Sequence, residues 1–258
     1  MNYEIKIYFS ITVILFISSL LLNFLSYFGK FGQKIVDALC YAPGIDLILA
    51  YFMIAPLIVG SLLAGGHGVG ISLAAQLSAL WLWIVAHELI NYKTQPKTKI
   101  YQALGRIVGG WRNHLAVWIT ALAIPLFWLV RLTQTVVYPC LTWLIGLPKY
   151  RARDWVNVSR HKFQGLIGYD LIWCLYCDWM TGVWSLGTEM LRNVESFWCP
   201  IRFYEDKKCE NCQLDFPDLN NGWVKSDGEI EDVVELLNCK YSQVNKRERS
   251  WFGHNLRQ

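Results

Sequence analysis

Charged residues are scarce in this chain of 258 residues. Asp, Glu, Lys and Arg together make 17% of it and hydrophobic residues 54%, whereas a soluble domain is about 25% charged and about 45–50% apolar. This composition excludes an intrinsically disordered chain. The net charge of +4 is small, and the basic residues are scattered through loops and tail rather than gathered in one patch. We therefore expect an integral membrane protein embedded in a lipid bilayer, with no nucleic-acid partner.

Familiar catalytic motifs are also missing. The sequence contains no Walker phosphate loop, no dinucleotide-binding glycine pattern with its acidic partner, no Gly-x-Ser-x-Gly elbow and no paired histidine boxes. These absences exclude the common sequence signatures of nucleotide hydrolysis, dinucleotide-dependent redox chemistry, ester hydrolysis and membrane di-iron oxygenation. The sequence predicts no particular reaction, and it leaves open whether the protein is an enzyme.

Long apolar runs dominate the first half of the chain. A membrane span needs about 20 mostly apolar residues, and Ile7–Phe28, Ile45–Ala64 and Val69–Ile90 meet this requirement. The first run is too long for a signal peptide and is not followed by a small-residue cleavage site, so we interpret it as a retained span. The glycine-rich stretch Gly65–Gly68 predicts a tight turn between the second and third spans.

A fourth apolar stretch, Leu115–Leu147, is too long for one straight span and too short for two. Its only charged residue is Arg131. One interpretation is a span to about Val130 followed by an interfacial helix that breaks near Pro139. The other is a pair of half-helices that re-enter the membrane, which is tolerated where protein surrounds them.

The distribution of Lys and Arg favours the second interpretation. Basic residues occur in the segments 29–44, 91–114 and 149–162, whereas the turn at 65–68 has none. Lys and Arg accumulate in cytoplasmic loops. All three basic segments can be cytoplasmic only if Leu115–Leu147 crosses the bilayer an even number of times, and we accordingly expect a cytoplasmic tail.

The expected fold is an all-α integral membrane protein. It has 3–4 transmembrane helices and a re-entrant or interfacial segment, followed by an aromatic-rich helix and a small Cys-rich tail. The predicted regions are a transmembrane part at 1–147, a basic linker with an aromatic amphipathic helix at 148–200, and a Cys-containing tail at 201–258.

The aromatic-rich helix is expected over Gly165–Cys199, with polar residues three or four positions apart. These residues are Asp170, Cys174, Cys177, Asp178, Thr181, Ser185, Glu189 and Arg192. The spacing places them on one stripe, which either faces water or is buried in the membrane interface or in a complex. The dense aromatic surface around the stripe predicts a membrane-protein partner. Asp178, Glu189 and Arg192 are the acid–base candidates if the protein is an enzyme, because an acid in apolar surroundings has a raised pKa.

A pair of cysteines, Cys209 and Cys212, forms a C-x-x-C motif in a polar segment of the tail. Two thiolates at this spacing can chelate one tetrahedral zinc ion. The two further ligands would be Cys199 and Cys239, or Cys174 and Cys177. Iron in place of zinc, no metal at all, redox-active dithiols and structural disulfides are the alternatives.

Three functions are compatible with these features. The leading hypothesis is a membrane scaffold or assembly factor whose tail is stabilised by zinc and whose aromatic helix contacts a partner. The second is a membrane-bound thiol or metal redox enzyme that uses the C-x-x-C pairs. The third is a lipid-active membrane enzyme with acid groups at the membrane face, near Asp178 and Glu189.

Overall fold

The structure is a computed structural model that describes residues 3–94, 96, 98–198, 201 and 224–242. Within these ranges the chain is mostly helical, and its only β-pairing consists of two isolated bridges. The helices are α1 (Tyr3–Phe24), α2 (Gly29–Leu39), α3 (Gly44–Met53), α4 (Ala55–Ile90), α5 (Ile100–Val108), α6 (Gly110–Ala121), α7 (Ile124–Leu132), α8 (Tyr138–Ile145), α9 (Ala152–Trp155), α10 (Gly168–Trp198) and α11 (Ile230–Ser242).

Three helical stretches are long and apolar enough to cross a membrane. They are Tyr3–Phe24, Gly44–Ile90 and Gly110–Ile145. These stretches fit an integral membrane protein, as the composition predicts. The third joins α6, α7, a π-helical turn and α8, and so covers most of the region for which the sequence left two interpretations open.

The chain forms two compact units that are not consecutive in sequence. The first comprises Met1–Ile124 and Ala152–Gly182, and the second comprises Pro125–Arg151 and Val183–Gln258. Helix α10 contributes its first half to the first unit and its second half to the second. The units are defined by contacts, and the three consecutive regions expected from composition stay a prediction.

Gly44–Ile90 is a helical hairpin rather than one long helix. Ala64 (φ −142°) and Gly65 (φ +57°) leave the helical conformation, and the positive φ favours glycine at the second position. The Ser72 hydroxyl donates a hydrogen bond of 2.8 Å to the Pro56 carbonyl. Such a contact requires the chain to reverse, and each arm is long enough, at about 30 Å, to cross a bilayer. The two spans expected from the sequence on either side of this turn are therefore present as two arms.

The two arms approach closely at Gly60 and Gly68. A Cβ atom at Gly68 would overlap the carbonyl oxygen of Gly60, whereas a Cβ atom at Gly66 would meet nothing within 4 Å. We expect Gly68→Ala to lower the free energy of unfolding by about 1–3 kcal/mol through overpacking. Gly66→Ala should have no such cost, because alanine favours the helix. Denaturation in mixed micelles measures the free energy of unfolding of both variants. Equal losses of stability in the two variants would contradict the close approach of the two arms.

Helix α1 packs along the second arm of the hairpin. Its buried residues Ile7, Ile11 and Leu15 contact Ala75 and Ala79, whose small side chains allow the backbones to come close. Farther along α1, Phe16 packs against the cluster that contains Trp83 and Ile84. Helix α1 therefore runs parallel to this arm. Its C-terminal end lies at the end of the hairpin where Gly44 and Ile90 lie, which we call the open end.

The first half of α10 also lies at the open end. The backbone N–H of Gly168 donates to Nδ1 of His87 (3.1 Å), near the end of the second arm. The indole N–H of Trp179 donates to Oδ1 of Asp46 (3.2 Å), near the start of the first arm. Helix α10 therefore extends across the ends of both arms.

The segment that precedes α10 is held at the same end. The backbone N–H of Ala42 donates to the carbonyl of Val156 (2.9 Å), and the backbone N–H of Val158 donates to the carbonyl of Cys40 (2.9 Å). Residues 40–42 connect α2 to the hairpin. The basic segments that precede the hairpin and precede α10 thus share one end of the first unit.

Candidate functional site

A buried carboxylate in the first unit, Asp170, caps helix α5. Its oxygens accept the backbone N–H groups of Ile100 (2.7 Å) and Tyr101 (3.1 Å), and the residue is 8% exposed. These amides at the start of a helix have no intrahelical partner. Burial raises the pKa of Asp170, although the two backbone donors and Lys99 act in the opposite direction. The geometry explains Asp170 as a structural cap.

The cap predicts a pH-dependent stability. Because the pKa of Asp170 is higher in the folded protein than in the unfolded chain, the folded state binds this proton more readily. The free energy of unfolding should therefore fall as the pH rises from the ordinary carboxyl range through the raised pKa. Asp170→Asn should abolish this component, and Asp170→Ala should cost about 1–2 kcal/mol through loss of the cap.

The free energy of unfolding, measured as a function of pH, tests this expectation. The control is Asp37→Asn, which removes an exposed carboxylate. If the pH dependence survived in Asp170→Asn but disappeared in Asp37→Asn, it would arise from Asp37, and its assignment to Asp170 would be wrong.

Asp178, an acid–base candidate from the sequence, holds a loop of the first unit. Its Oδ2 accepts the backbone N–H groups of Ser159 (2.8 Å) and Arg160 (3.2 Å). Its Oδ1 lies 3.6 Å from Nε of Arg160. These contacts fasten the connection between α9 and α10 to α10 itself, which is a positioning role.

The predicted zinc ligands are only partly within the described residues. Cys174 and Cys177 lie one turn apart on α10 as free thiols, and Cys239 is exposed on α11. Cys199, Cys209 and Cys212 lie outside the described residues. Among the residues that the structure describes, no group of three or more His, Cys, Asp or Glu side chains could hold a metal ion. The zinc cluster therefore stays a prediction.

One cysteine of the first unit has a histidine neighbour. The Cys40 sulfur lies 3.7 Å from Nε2 of His161. Burial raises the pKa of the Cys40 thiol and lowers the pKa of His161. Both shifts favour the neutral thiol and neutral imidazole, so this pair lacks the thiolate of a reactive cysteine.

Among the described residues of the second unit three charged side chains are buried, and we call them together the charged cluster. Arg131, Glu189 and Arg192 are 4%, 3% and 8% exposed. Arg131 donates from Nη1 to Oε1 of Gln134 (2.9 Å), and Nη1 of Arg192 lies 3.4 Å from Oε2 of Glu189. Charged groups are expensive in apolar surroundings unless they are paired, and in membrane segments they usually mark a functional site. This cluster is our candidate functional site.

Tyr150 connects the charged cluster to a second polar group. Its hydroxyl donates to Oε1 of Glu189 (3.4 Å) and accepts a hydrogen bond of 2.6 Å from Nδ2 of Asn193. Burial raises the pKa of Tyr150, and the nearby Tyr138 and Glu189 raise it further. The hydroxyl therefore stays protonated and acts as a hydrogen-bond donor.

The local sequence explains how Gln134 reaches this cluster. Pro139 has no backbone N–H, and its ring would collide with the carbonyl four residues earlier in a regular helix. The chain forms a π-helical turn over Thr133–Val137 just before α8, and such turns are frequent at functional sites. Gln134 projects from this turn and donates to the Val183 carbonyl (2.6 Å) of α10. Gly187 allows this approach, since a Cβ atom there would lie 3.2 Å from the Gln134 amide nitrogen.

An open cleft of about 680 Å³ lies beside these residues. Its lining residues are Gln134, Tyr138, Pro139, Thr142, Trp143, Leu144, Ile145, Gly146, Lys149, Tyr150 and Met190. The lining combines hydroxyl and amide groups with apolar side chains, of which Trp143 is 83% exposed. It includes residues of the apolar stretch that ends at Ile145 and continues to Lys149 and Tyr150 beyond that end.

The structure brings together some of the residues that the sequence singled out. Glu189 and Arg192 form an ion pair in the second unit, whereas Asp178 belongs to the first unit. Sequence reasoning missed Arg131, Gln134 and Tyr150 as members of the site. The signal for Arg131 was present, because it is the only charge in a long apolar stretch.

Comparison with known proteins gives no relative for this chain. No family model matches it, and no curated protein and no solved structure is similar to it at a significant level. The function must therefore be argued from the site itself.

Proposed function

We propose that this integral membrane protein binds an anionic phospholipid in the cleft of the second unit. The observation that carries the proposal is the lining of the cleft, which combines apolar side chains with polar groups at the end of a stretch that is long and apolar enough to cross a membrane. A phospholipid has the same two-part chemistry. Its acyl chains would lie along Trp143, Leu144 and Ile145, and its headgroup would lie near Lys149 and Tyr150.

The charge balance favours an anionic headgroup. Lys149 lines the cleft and is exposed, so its ammonium group is available to a phosphate. Among the residues that the structure describes, the buried charged side chains of the second unit are Arg131, Glu189 and Arg192. Lys149 is the group that would attract a phosphate, because a hydrogen bond between ionised groups is about twice as strong as a neutral one.

The same geometry favours binding over catalysis. Glu189, the acid that the sequence proposed for a lipid-active enzyme, uses one oxygen for Tyr150 and the other for Arg192. Tyr150, which does line the cleft, has a raised pKa and keeps its proton. A protonated tyrosine is a good hydrogen-bond donor for a phosphate and a poor base at neutral pH.

Lipid retention by the purified protein tests the proposal. Native mass spectrometry in detergent would compare palmitoyl-oleoyl-phosphatidylglycerol with the phosphatidylcholine of the same acyl chains. We expect phosphatidylglycerol to bind more tightly, and Lys149→Glu to weaken it by about tenfold or more, since a hydrogen bond to a charged group contributes about 1.5–3 kcal/mol. Trp143→Ala should weaken both lipids alike.

Lys162→Glu is the matched control. Its side chain is 63% exposed, and it belongs to the first unit and does not line the cleft. Equal affinity for the two lipids, or equal losses in Lys149→Glu and Lys162→Glu, would overturn the proposal.

A zinc-stabilised scaffold is our second proposal, and it is supported by the spacing of Cys209 and Cys212. Metal binding and folding of such a tail would be linked. About one zinc per chain, lost in Cys209→Ser/Cys212→Ser, is the expected result of elemental analysis. Iron would instead favour the redox hypothesis, and absence of metal with oxidised thiols would contradict both the zinc site and a cytoplasmic tail.

A further inference from the structure

Helix α5 has an exposed apolar face. Ile100, Leu104, Ile107 and Val108 are 47%, 45%, 77% and 51% exposed, and their spacing of four, three and one places them on one side of the helix. Gln102 and Arg106 project from the opposite side and are exposed as well. None of the nine residues of α5 is buried.

Helix α5 is nevertheless held firmly at its N-terminal end. Asp170 caps its first amides, and Oε1 of Gln102 accepts the Lys99 backbone N–H (3.2 Å). Nδ2 of Asn113 donates to the Tyr101 carbonyl (3.2 Å). The apolar face is therefore presented by an ordered helix at a defined position.

The surroundings of α5 identify what covers this face. The helix lies between two stretches that can cross a membrane, Gly44–Ile90 and Gly110–Ile145, so it lies at the surface of the bilayer. From Leu89 to Asn113 the sequence has no acidic residue and five basic ones, Lys93, Lys97, Lys99, Arg106 and Arg112. Arg112 lies over the ring of Trp111 (5.6 Å), a combination suited to the headgroup region.

We infer that α5 lies in the plane of the membrane interface. Its apolar face enters the acyl boundary of an anionic leaflet, and Arg106 with Arg112 contacts the lipid phosphates. A helix with a basic polar face and an apolar opposite face binds a membrane in this way, and each basic residue near an anionic surface adds about 1 kcal/mol. This inference concerns the first unit and does not depend on the proposed lipid cleft.

Photocrosslinking to lipid tests the inference. The photoreactive residue p-benzoyl-phenylalanine would replace Ile107 in one variant and Gln102 in a matched control. Both positions are exposed, and the Asp170 cap of α5 remains when the hydrogen bond of Gln102 is lost, so folding should tolerate either change. The full chain would be reconstituted in vesicles of palmitoyl-oleoyl-phosphatidylcholine and phosphatidylglycerol, irradiated, and analysed by mass spectrometry.

We expect at least about tenfold more lipid adduct at position 107 than at position 102. The adducts at position 107 should contain more phosphatidylglycerol than the bulk bilayer does, and Arg106→Gln/Arg112→Gln should remove this enrichment. Equal adduct yields at the two positions, or a crosslink from position 107 to another protein chain in place of lipid, would overturn the inference. Loss of lipid retention in Lys149→Glu would not affect this result, so the two proposals fail separately.

Discussion

Membrane-impermeant acylation of native lysines in sealed vesicles is expected to modify Lys34, Lys93 and Lys162 from one side and Lys6 from the other. Lys34 is in α2 and Lys93 follows α4, so both lie in connections at the open end of the hairpin. Lys162 belongs to the segment that the contacts of Val156 and Val158 hold at this end. Lys6 lies near the start of α1, which is the opposite end of that helix.

The measurement needs no mutation, because all four lysines are exposed. Right-side-out and inverted vesicles would be treated with the same reagent, and each lysine would be quantified by peptide mass spectrometry. The positive-inside rule predicts that the side shared by Lys34, Lys93 and Lys162 is cytoplasmic. Modification of Lys162 together with Lys6 would show that the chain crosses an odd number of times between Lys93 and Lys162.

The expected labelling has a direct consequence for Gly110–Ile145. This stretch is long enough to cross the bilayer, yet His114 near its start contacts Tyr169, which comes after it in the chain, with 3.0 Å between Nδ1 and the phenol oxygen. A chain that leaves and returns to one end of the first unit must cross an even number of times. This argument supports the re-entrant interpretation and predicts that Leu115–Leu147 enters and leaves on one side.

Hydropathy was sufficient to locate the membrane segments because it depends only on composition within a window. It misplaced their ends. Helix α1 begins at Tyr3 rather than at the predicted Ile7, since the exposed side chains of Glu4 and Lys6 can reach water from the first turns of a span. The turn of the hairpin is at Ala64–Gly65. It therefore starts one residue before the predicted turn Gly65–Gly68 and overlaps that turn at Gly65.

The polar stripe of α10 shows what helical spacing leaves undetermined. Thr181 and Ser185 are exposed, whereas Glu189 and Arg192 are buried. The water-facing interpretation is therefore wrong for the second pair. Spacing specifies which residues share a face of a helix, but what covers each part of that face depends on tertiary structure. In α10 the covering changes even within the second unit, where Ser185 is exposed and Glu189 is buried.

The cleft could not be predicted from the sequence for the same reason. Gln134 and Tyr138 come from one stretch, and Tyr150 and Met190 come from others. The local sequence does not indicate that Gly187 allows Gln134 to approach α10. The sequence alone shows Arg131 as a lone charge in an apolar stretch, and Glu189 and Arg192 as a polar group in α10. The fold places these residues in one unit.

Removal of one partner of the buried Glu189–Arg192 pair is expected to be the most destabilising single change in the second unit. Arg192→Met removes the guanidinium group that lies 3.4 Å from the Glu189 carboxylate, whose side chain is 4% exposed. An uncompensated buried charge lowers the free energy of unfolding by about 3–5 kcal/mol. The double variant Glu189→Met/Arg192→Met removes both charges, and apolar replacement of a buried pair is often close to neutral. We therefore expect the double variant to be more stable than Arg192→Met.

The exposed pair Lys162–Asp37 provides the matched control. Its side chains are 63% and 61% exposed, so Lys162→Met should change the free energy of unfolding by no more than about 1 kcal/mol. Denaturation in mixed micelles measures the free energy of unfolding of these three variants and of Glu189→Met. If the effects of Glu189→Met and Arg192→Met simply added in the double variant, the two side chains would act independently and the coupling that we assign to the pair would be wrong. The double variant should still retain phosphatidylglycerol in preference to phosphatidylcholine, because Lys149 remains in the cleft.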